Sequence, residues 1–386
     1  MHFFGIGSLD WLMFGLAWLS LGYLACALSC VWRYRERPHE CIQSEPPVSV
    51  LKPLNGLDVQ LYANLSSFCA QHYPTFQIVF AVASHDDPAL PIVARVVREY
   101  PDLDLALVVD SRTLGTNYKI SNVANAYRLA KYDIVVIADS DMRVEPDYLS
   151  RIATAFAAPN TGAVTCLYTG SSGAGFASTL ASMFINESFL PSVLVALRLQ
   201  ALNFCFGATM AVRRDVLRRI GGFEALASQL ADDYLLGKLV SALGCEVRLA
   251  SCVAKNWVYE SDLRALWHHE IRWARTVRTV RPISYVFSVI TQALPLTAIA
   301  WLLSNSTYAA LLLSAALALR VILNLAIRTR FRIPGRATWW LIPVRDMLSF
   351  AVWAASFLGR EVRWQGNTFA VRADGQLRGI DAPEIG

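Results

Sequence analysis

The stretch DIVVIADSDMRVEPDYL, residues 133–149, begins with an apolar run of the kind that forms a buried strand and then reaches two carboxylates, Asp139 and Asp141. The simplest use of an aspartate after a strand is as a turn former or a helix N-cap. Two carboxylates this close together repel each other unless a positive group lies between them. A divalent cation with oxygen ligands is the natural candidate for that group, and a nucleotide diphosphate would complete its coordination shell.

The residues around this stretch predict a folded α/β domain from residue 46 to about residue 275. Short β-branched runs there alternate with helical stretches, which indicates a largely parallel sheet covered on both faces. The predicted strands are 48–53, 77–84, 104–110, 133–139 and 162–168, and the predicted helices lie near 57–72, 88–100, 117–131 and 146–158.

Two further acidic pairs fall where such a sheet binds ligands, which is beyond the carboxyl ends of its strands. Asp86 and Asp87 follow the second predicted strand, although an aspartate before a proline is equally a turn signal. Asp232 and Asp233 precede a helical run, where acids also complement the helix dipole. The stretch GGF at 221–223 predicts a tight turn shortly before this pair.

The composition indicates contact with a bilayer. Of the 386 residues 55% are hydrophobic, and the net charge of +5 does not suggest nucleic acid. Residues 9–32 are long and apolar enough to span as a helix, and the basic stretch RYRER at 33–37 then predicts that the following chain is cytoplasmic. The eight cysteines are scattered, which favours a reducing compartment over a disulfide framework.

A second apolar region follows the α/β domain. Residues 283–303 and 307–327 predict a hairpin of spanning helices, and the basic stretch 328–332 returns the chain to the cytoplasm. Residues 338–358 are apolar but carry Arg345 and Asp346, charges that need partners inside the protein. A re-entrant helix agrees better with the basic residues that follow than a full crossing does.

The sequence therefore divides into four predicted parts. The parts are an anchor at 1–35, the α/β domain at 46–275, transmembrane or interfacial helices at 280–360, and a basic tail at 361–386. One further apolar stretch, 188–202, is interpreted as an interfacial helix or as an ordinary core helix.

The stretch HHEIRWARTVRTVRP at 268–282 carries arginines at a spacing of three residues. One interpretation is a juxtamembrane basic helix that rests on anionic lipid. The other is that Arg272 and Trp273 reach a bound diphosphate, because a guanidinium makes charge-assisted hydrogen bonds to phosphate.

In order along the chain, these motifs resemble those of membrane-anchored family 2-type glycosyltransferases with a GT-A fold. The matching positions are Asp87, the Asp139-Ser-Asp141 triplet, Asp233 and the segment from His269 to Trp273. VLKPLNGLD, HDDPA, GTNYKISN, ADSDMRV and ADDY are more similar to the ceramide glucosyltransferases of family 21. VVIADSDMRVEPDYL, LPSVLV, FGATMAVRR, GGFEALASQLADDY and ALWHHEIRWARTVR resemble still more closely the bacterial glycosyltransferases associated with hopanoid biosynthesis.

The resemblance implies a GT-A (Rossmann-like) α/β domain and an inverting transfer from a UDP-sugar, UDP-GlcNAc or UDP-Glc. Asp233 is then the general base, and Asp139 and Asp141 bind Mg²⁺ or Mn²⁺. The resemblance also implies that Asp87 binds the uridine. Lys119 and Arg272 then provide positive charge at the diphosphate. The nucleotide-sugar site further includes Asp139, His269 and Trp273. His269 stands where the family signature has Gln or Arg, and a neutral imidazole does not replace a guanidinium's charge.

The resemblance implies that residues 46–275 are the catalytic domain, on the cytoplasmic side of a bacterial inner membrane. The implied acceptor is a membrane lipid, which would enter at the interfacial helix 188–202. The resemblance favours a hopanoid, with ceramide glucosylation as the alternative. A processive polysaccharide synthase shares the acidic motifs but needs more membrane helices than this sequence predicts. The presence of every expected acidic residue argues against a catalytically inactive membrane scaffold.

Overall fold

A computed structural model describes residues 8–36, 45–173, 175–335, 337–364, 367–372 and 374–379. Arg37 of the basic stretch after the first anchor, and residues 380–386 of the predicted tail, lie outside the described residues. The chain divides into a helical unit and a sheet unit. The helical unit comprises residues 1–35, 170–200 and 260–365, and the sheet unit comprises residues 36–169, 201–259 and 366–386.

The strands are numbered along the chain. They are β1 (Val48–Pro53), β2 (Phe76–Val82), β3 (Asp104–Val109), β4 (Ile134–Ala138), β5 (Met142–Arg143), β6 (Thr161–Ser172), β7 (Thr209–Arg213), β8 (Glu246–Val258), β9 (Glu361–Trp364), β10 (Asn367–Val371) and β11 (Leu377–Gly379).

The helices are numbered in the same way. They are α1 (Ser8–Arg33), α2 (Leu61–Cys69), α3 (Leu90–Glu99), α4 (Tyr118–Tyr127), α5 (Tyr148–Phe156), α6 (Phe176–Phe184), α7 (Leu190–Leu199), α8 (Arg214–Arg219), α9 (Asp232–Ala242), α10 (Leu263–Val280), α11 (Pro282–Phe287), α12 (Ala293–Ser304), α13 (Thr307–Arg330) and α14 (Ile342–Ser356).

The sheet unit is built on a mixed sheet with the strand order β3-β2-β1-β4-β7-β6-β8-β5. Strands β3, β2, β1 and β4 are parallel, as predicted, while β7 runs antiparallel to both β4 and β6. Neighbouring residues of β1 face opposite layers, so Val50 packs in one buried cluster and Leu51 in another. Apolar side chains therefore cover both faces of the sheet.

Among its described residues, the helical unit contains three helical runs that are long and apolar enough to cross a membrane. They are Asp10–Arg33, Phe176–Leu199 and Thr307–Arg330. The second run joins α6 to α7 through a π-helical segment, Ile185–Phe189, and extends well beyond the predicted helix at 188–202. The described residues thus add a membrane-length helix that the sequence pattern did not predict as a span.

The predicted single span at 283–303 is broken. Pro282–Thr291 and Ala293–Ser304 meet at an angle of 67°, and together they form a fourth candidate span. Pro295 lacks a backbone N–H and its ring clashes with the carbonyl four residues earlier, that of Thr291, so the helix breaks at this point.

The charges predicted to need partners have them within the helical unit. The Arg345 guanidinium donates to both oxygens of Glu270, at 2.6 and 2.7 Å. Asp346 accepts two hydrogen bonds from Arg320, at 2.8 and 2.6 Å. These pairs remove the main objection to charged residues in an apolar segment.

Candidate active site

The aspartates that follow β4 have different partners in the sheet unit. The Asp139 carboxylate lies 2.7 Å from the Nζ atom of Lys119. The Asp139 carbonyl oxygen accepts a hydrogen bond from the fully buried Lys52 ammonium, at 2.5 Å. Burial lowers the pKa of Lys52 to about 8, although Asp139 and Asp141 oppose that effect. Asp139 therefore has cationic neighbours at both its side chain and its backbone.

Asp141 is less well satisfied. Its Oδ1 atom is buried and has no hydrogen-bond partner among the described residues. Burial, followed by repulsion from Asp139, raises the pKa of Asp141 from 3.8 to about 7. The backbone holds this residue in place, because the Trp257 N–H donates to the Asp141 carbonyl at 2.9 Å. The carboxylate is thus positioned next to negative charge without a full set of partners.

Asn117 connects the lysine at this site to the acidic pair at the start of α9. Its side-chain oxygen accepts from the Ile120 N–H at 3.0 Å and so caps α4, which begins just before Lys119. Its amide nitrogen donates to Asp232 at 3.3 Å. Asp232 lies 3.7 Å from the Lys119 ammonium. Lys119 therefore lies between Asp139 and Asp232.

The charge of Lys119 is fixed by these two carboxylates. Burial alone would lower the pKa of Lys119, but attraction by Asp139 and Asp232 outweighs burial and raises it. The lysine stays protonated at any physiological pH, which leaves one permanent positive charge among the acidic residues.

Asp233 is positioned by its own helix start. Its Oδ1 atom accepts from the Tyr234 N–H at 2.8 Å, and its carbonyl accepts from the Cys205 N–H at 3.2 Å. A Cβ atom on Gly207 would lie 3.2 Å from Oδ2 of Asp233, so the glycine keeps that side of the carboxylate clear. Burial, together with repulsion from Asp232, raises the pKa of Asp233 to about 6.

The predicted acidic residues of the sheet unit therefore lie in one electrostatic neighbourhood. Asp139 raises the pKa of both Asp141 and Asp233. Tyr168, which sequence reasoning did not select, is affected by all three carboxylates, and its pKa is raised mainly by burial. The arrangement can hold positive charge and can accept a proton at Asp233.

Asp87 lies at the same edge of the sheet, beyond the end of β2. Its carboxylate accepts from the Ala89 N–H at 2.8 Å and from the Gly56 N–H at 3.2 Å. Asp87 therefore ties the loop after β1 to the loop after β2. This turn-forming role accounts for the turn signal in the sequence and leaves the carboxylate at the ligand edge of the sheet.

Lys52 is a residue of the site that sequence reasoning missed. It stands inside the strand VSVLKP, whose six residues are all buried. A lysine in a buried apolar strand is rare unless it is paired, so its position in that run was a usable signal. Its ammonium also lies over the ring of Phe68, 3.9 Å from the centroid.

The remaining predicted residues lie on α10 in the helical unit. The His269 Nδ1 atom lies 2.6 Å from the Glu260 carboxylate, and the His269 ring packs edge-on against Trp273, with centroids 4.3 Å apart. The Arg272 carbonyl accepts from the Thr276 hydroxyl at 2.8 Å. Glu260 therefore anchors the histidine that stands where the family signature has Gln or Arg.

The strand order and the carboxylates beyond the strand ends define a class of fold, which a solved structure shares. Mannosyltransferase PcManGT from Pyrobaculum calidifontis, solved in complex with GDP-Man and Mn²⁺, superposes on 90% of this chain and 99% of its own, with a TM-score of 0.53 and 20% identity. That likeness identifies the fold. The chain has the α/β GT-A fold of glycosyltransferases, together with apolar helices near its N-terminus and in its C-terminal region, which confirms the predicted fold class.

The family of the chain can be stated more specifically than its fold. The family model for glycosyl transferase family 21 matches residues 12–377, so the chain belongs to that family. Ceramide glucosyltransferase 1 of Caenorhabditis elegans is 28% identical over 56% of this chain and 47% of its own length. The ceramide glucosyltransferase of Komagataella phaffii is 36% identical over 27% of this chain and 21% of its own. The chain spans about half the length of the first curated relatives it matches.

Proposed function

We propose that this chain is an inverting glycosyltransferase that moves a sugar from a UDP-sugar to a hydroxyl group of a membrane lipid. The observation that carries the proposal is the buried acidic cluster at the strand ends, in a family 21 chain that also has membrane-length apolar helices. The names of the relatives support a lipid acceptor and a hexose donor.

Asp233 is the proposed general base. The acceptor oxygen attacks the anomeric carbon, its proton passes to Asp233, and the bond from that carbon to the diphosphate oxygen breaks to release UDP. A pKa of about 6 keeps Asp233 deprotonated at neutral pH while making it a stronger base than an exposed aspartate. Gly207 has no side chain to crowd the Oδ2 atom of Asp233, which a Cβ there would approach to 3.2 Å.

Asp139 and Asp141 are the proposed ligands of Mg²⁺ or Mn²⁺. The residues fit such an ion, because Asp141 has a buried oxygen with no hydrogen-bond partner and a raised pKa that a cation would lower again. The described residues contain no group of three or more histidine, cysteine or acidic side chains that could hold a metal, so most of the shell would come from water and the donor. A bound cation supplies Lewis-acid charge at the diphosphate.

The other predicted residues have supporting roles in this proposal. Lys119, held protonated by its two carboxylates, supplies fixed positive charge toward the diphosphate. Arg272 is assigned the same task from the α10 signature, with His269 and Trp273 beside it on that helix. Asp87 binds the uridine.

The finer proposal is that the acceptor is a bacteriohopanepolyol, the donor UDP-GlcNAc or UDP-Glc, and the site the cytoplasmic side of a bacterial inner membrane. It is supported by the motif resemblance and by the basic residues that follow the apolar helices. The alternative acceptor is ceramide, which the names of the curated relatives favour.

The test is incubation of membranes containing the protein with labelled UDP-Glc or UDP-GlcNAc and with hopanoid or ceramide, in the presence of Mn²⁺ or EDTA. The proposal predicts one labelled lipid whose formation requires the metal. Product that forms equally in EDTA would contradict the roles of Asp139 and Asp141. Labelled water-soluble sugar without any labelled lipid would contradict the lipid acceptor.

A further inference from the structure

A small polar cavity lies inside the helical unit. It has a volume of about 20 Å³ for water-sized groups, which is room for about one hydroxyl or water oxygen. Its polar lining comes from several helices and includes Tyr23, Glu187, Ser192, Gln292, Arg320 and Asp346. A polar cavity in a unit of membrane-length apolar helices is unusual, because lipid hydrocarbon offers no hydrogen bonds.

The ionisable side chains that line this cavity with Tyr23 are two acidic residues and one arginine. Arg320, which is 3% exposed, donates to Asp346 at 2.8 and 2.6 Å and lies 3.5 Å from the Glu187 carboxylate. Glu187 also accepts from the Asn324 amide at 2.6 Å. One guanidinium thus faces two buried carboxylates, so the lining disfavours a further anion and favours a group that donates a hydrogen bond.

The helix geometry directs these groups inward. Glu187 lies in the π-helical segment Ile185–Phe189, and such segments are frequent at functional sites. Three candidate spans each contribute a polar group, namely Tyr23, Glu187 and Arg320. Ionisable residues in such segments are costly to bury and mark binding sites or ion pathways more often than structure alone.

We propose that this cavity binds a hydroxyl group of a neutral membrane lipid. The lipid is the acceptor of the proposed transfer, and the bound hydroxyl is not the one that attacks the sugar. The hydroxyl hydrogen donates to Glu187 or Asp346, and the hydroxyl oxygen accepts from the Gln292 amide or from the Tyr23–Ser192 hydroxyl pair, whose oxygens are 2.8 Å apart. A phosphate-bearing lipid is excluded by the two carboxylates. This inference rests on the proposed function, since it locates the head group of its acceptor.

The experiment measures lipid binding directly, without nucleotide sugar. The full-length protein in nanodiscs is titrated with fluorescent ceramide, with diacylglycerol and with phosphatidic acid of matched chains. The variants are Ser192→Ala, which removes the partner of Tyr23, and Gln292→Met, which keeps volume but removes the amide. The matched control is Ser314→Ala, an exposed helical serine whose hydroxyl, among the described residues, donates to the Ala310 carbonyl of its own helix.

The proposal predicts that ceramide and diacylglycerol bind and that phosphatidic acid does not. Each cavity variant should weaken ceramide binding about three- to tenfold, as expected for one lost hydrogen bond, while Ser314→Ala leaves it unchanged. UDP binding by the same preparations, unchanged in all variants, shows that they are folded. Equal ceramide affinity in wild type and both cavity variants, or binding of phosphatidic acid that both variants weaken, would overturn the proposal.

The experiment distinguishes failure of the cavity proposal from failure of the proposed function. Variant-sensitive lipid binding by a protein that transfers no sugar would support the cavity and remove the proposed function. Sugar transfer to ceramide by a protein whose lipid binding ignores both variants would do the reverse.

Discussion

Asp232 and Asp233 are adjacent in the chain but have different surroundings. Asp232 is 6% exposed and is held by Asn117 and Lys119. Among the described residues, Oδ1 of Asp233 accepts from the next backbone N–H, while Oδ2 faces Gly207. Because the Asp232 carboxylate is already used to hold a lysine, we propose Asp233 as the base.

The substitution Asp233→Asn should lower kcat by about 10²- to 10⁴-fold, because it removes the proton acceptor and keeps the shape of the side chain. UDP affinity, measured by calorimetry, should change by less than about twofold. Asp133→Asn is the matched control, since the Asp133 side chain is 95% exposed. Parallel loss of UDP affinity and kcat in Asp233→Asn would assign this residue to metal binding or folding instead.

The rate should also depend on pH through the same carboxylate. The pKa of Asp233 is raised from 3.8 to about 6, so the base is ionised above that pH and protonated below it. The rate is measured at saturating Mn²⁺, because the proposed metal binding would keep Asp141 ionised. Under these conditions kcat/KM should be level above about pH 7 and fall tenfold per unit well below pH 6. A profile that stays level down to about pH 4, the range of an exposed aspartate, contradicts a buried carboxylate as the base.

At the scale of elements, the hairpin of β10 and β11 packs on the loop that precedes α9. The Leu230 N–H donates to the Gly375 carbonyl at 3.1 Å, and the Leu377 N–H donates to the Ser228 carbonyl at 2.9 Å. The carbonyl of Gln229 in the same loop accepts from the Asn117 amide at 2.9 Å. Strands within the predicted basic tail thus support the segment that carries Asp233.

The substitution Gly375→Ala tests this support. Gly375 has φ +85°, and a Cβ there would lie 3.0 Å from the Gln229 side-chain oxygen. Gly335→Ala is the matched control, because its φ of +89° gives similar backbone strain but nothing lies within 4 Å. Both variants should lose about 1 kcal/mol of stability, and only Gly375→Ala should lower kcat, several-fold, at an unchanged KM for the donor. Equal kcat in the two variants would remove the hairpin from the site.

The parallel half of the sheet was predictable because β1 to β4 are apolar β-branched runs, each followed by a helical stretch. In the antiparallel half the sequence predicted β6, as the strand 162–168, but it did not predict β7 or β8. The buried residues near the centre of β8 are the small side chains Ala250, Cys252 and Ala254, which give no β-branched signal, and β7 has only five residues. Asp139, Asp141 and Asp233 could be chosen from motifs, whereas the link from Asn117 and Lys119 to Asp232 joins residues more than a hundred positions apart.

At the scale of the whole molecule, the helical unit shows the same contrast between segments that the sequence predicted and segments that it did not. Hydropathy found α1 and α13, which are more apolar than Phe176–Leu199, although α13 also carries Arg320. It did not find the span Phe176–Leu199, because Glu187 and Pro191 interrupt the pattern and the partners of that glutamate, Arg320 and Asn324, are distant in sequence. Charged residues argue against a membrane span when only the composition of a helix is considered. They can be buried in such a helix once they are paired.

The central claim is that this chain transfers a sugar to a membrane lipid with Asp233 as the base. The most direct measurement is mass spectrometry of total lipids from cells that lack the chain, and from the same cells supplied with wild type or with Asp233→Asn. The account predicts a lipid bearing one hexose or N-acetylhexosamine that disappears on deletion, returns with wild type and stays absent with the variant, while its unglycosylated precursor accumulates. A lipid profile unchanged by the deletion, or one fully restored by Asp233→Asn, would contradict the claim.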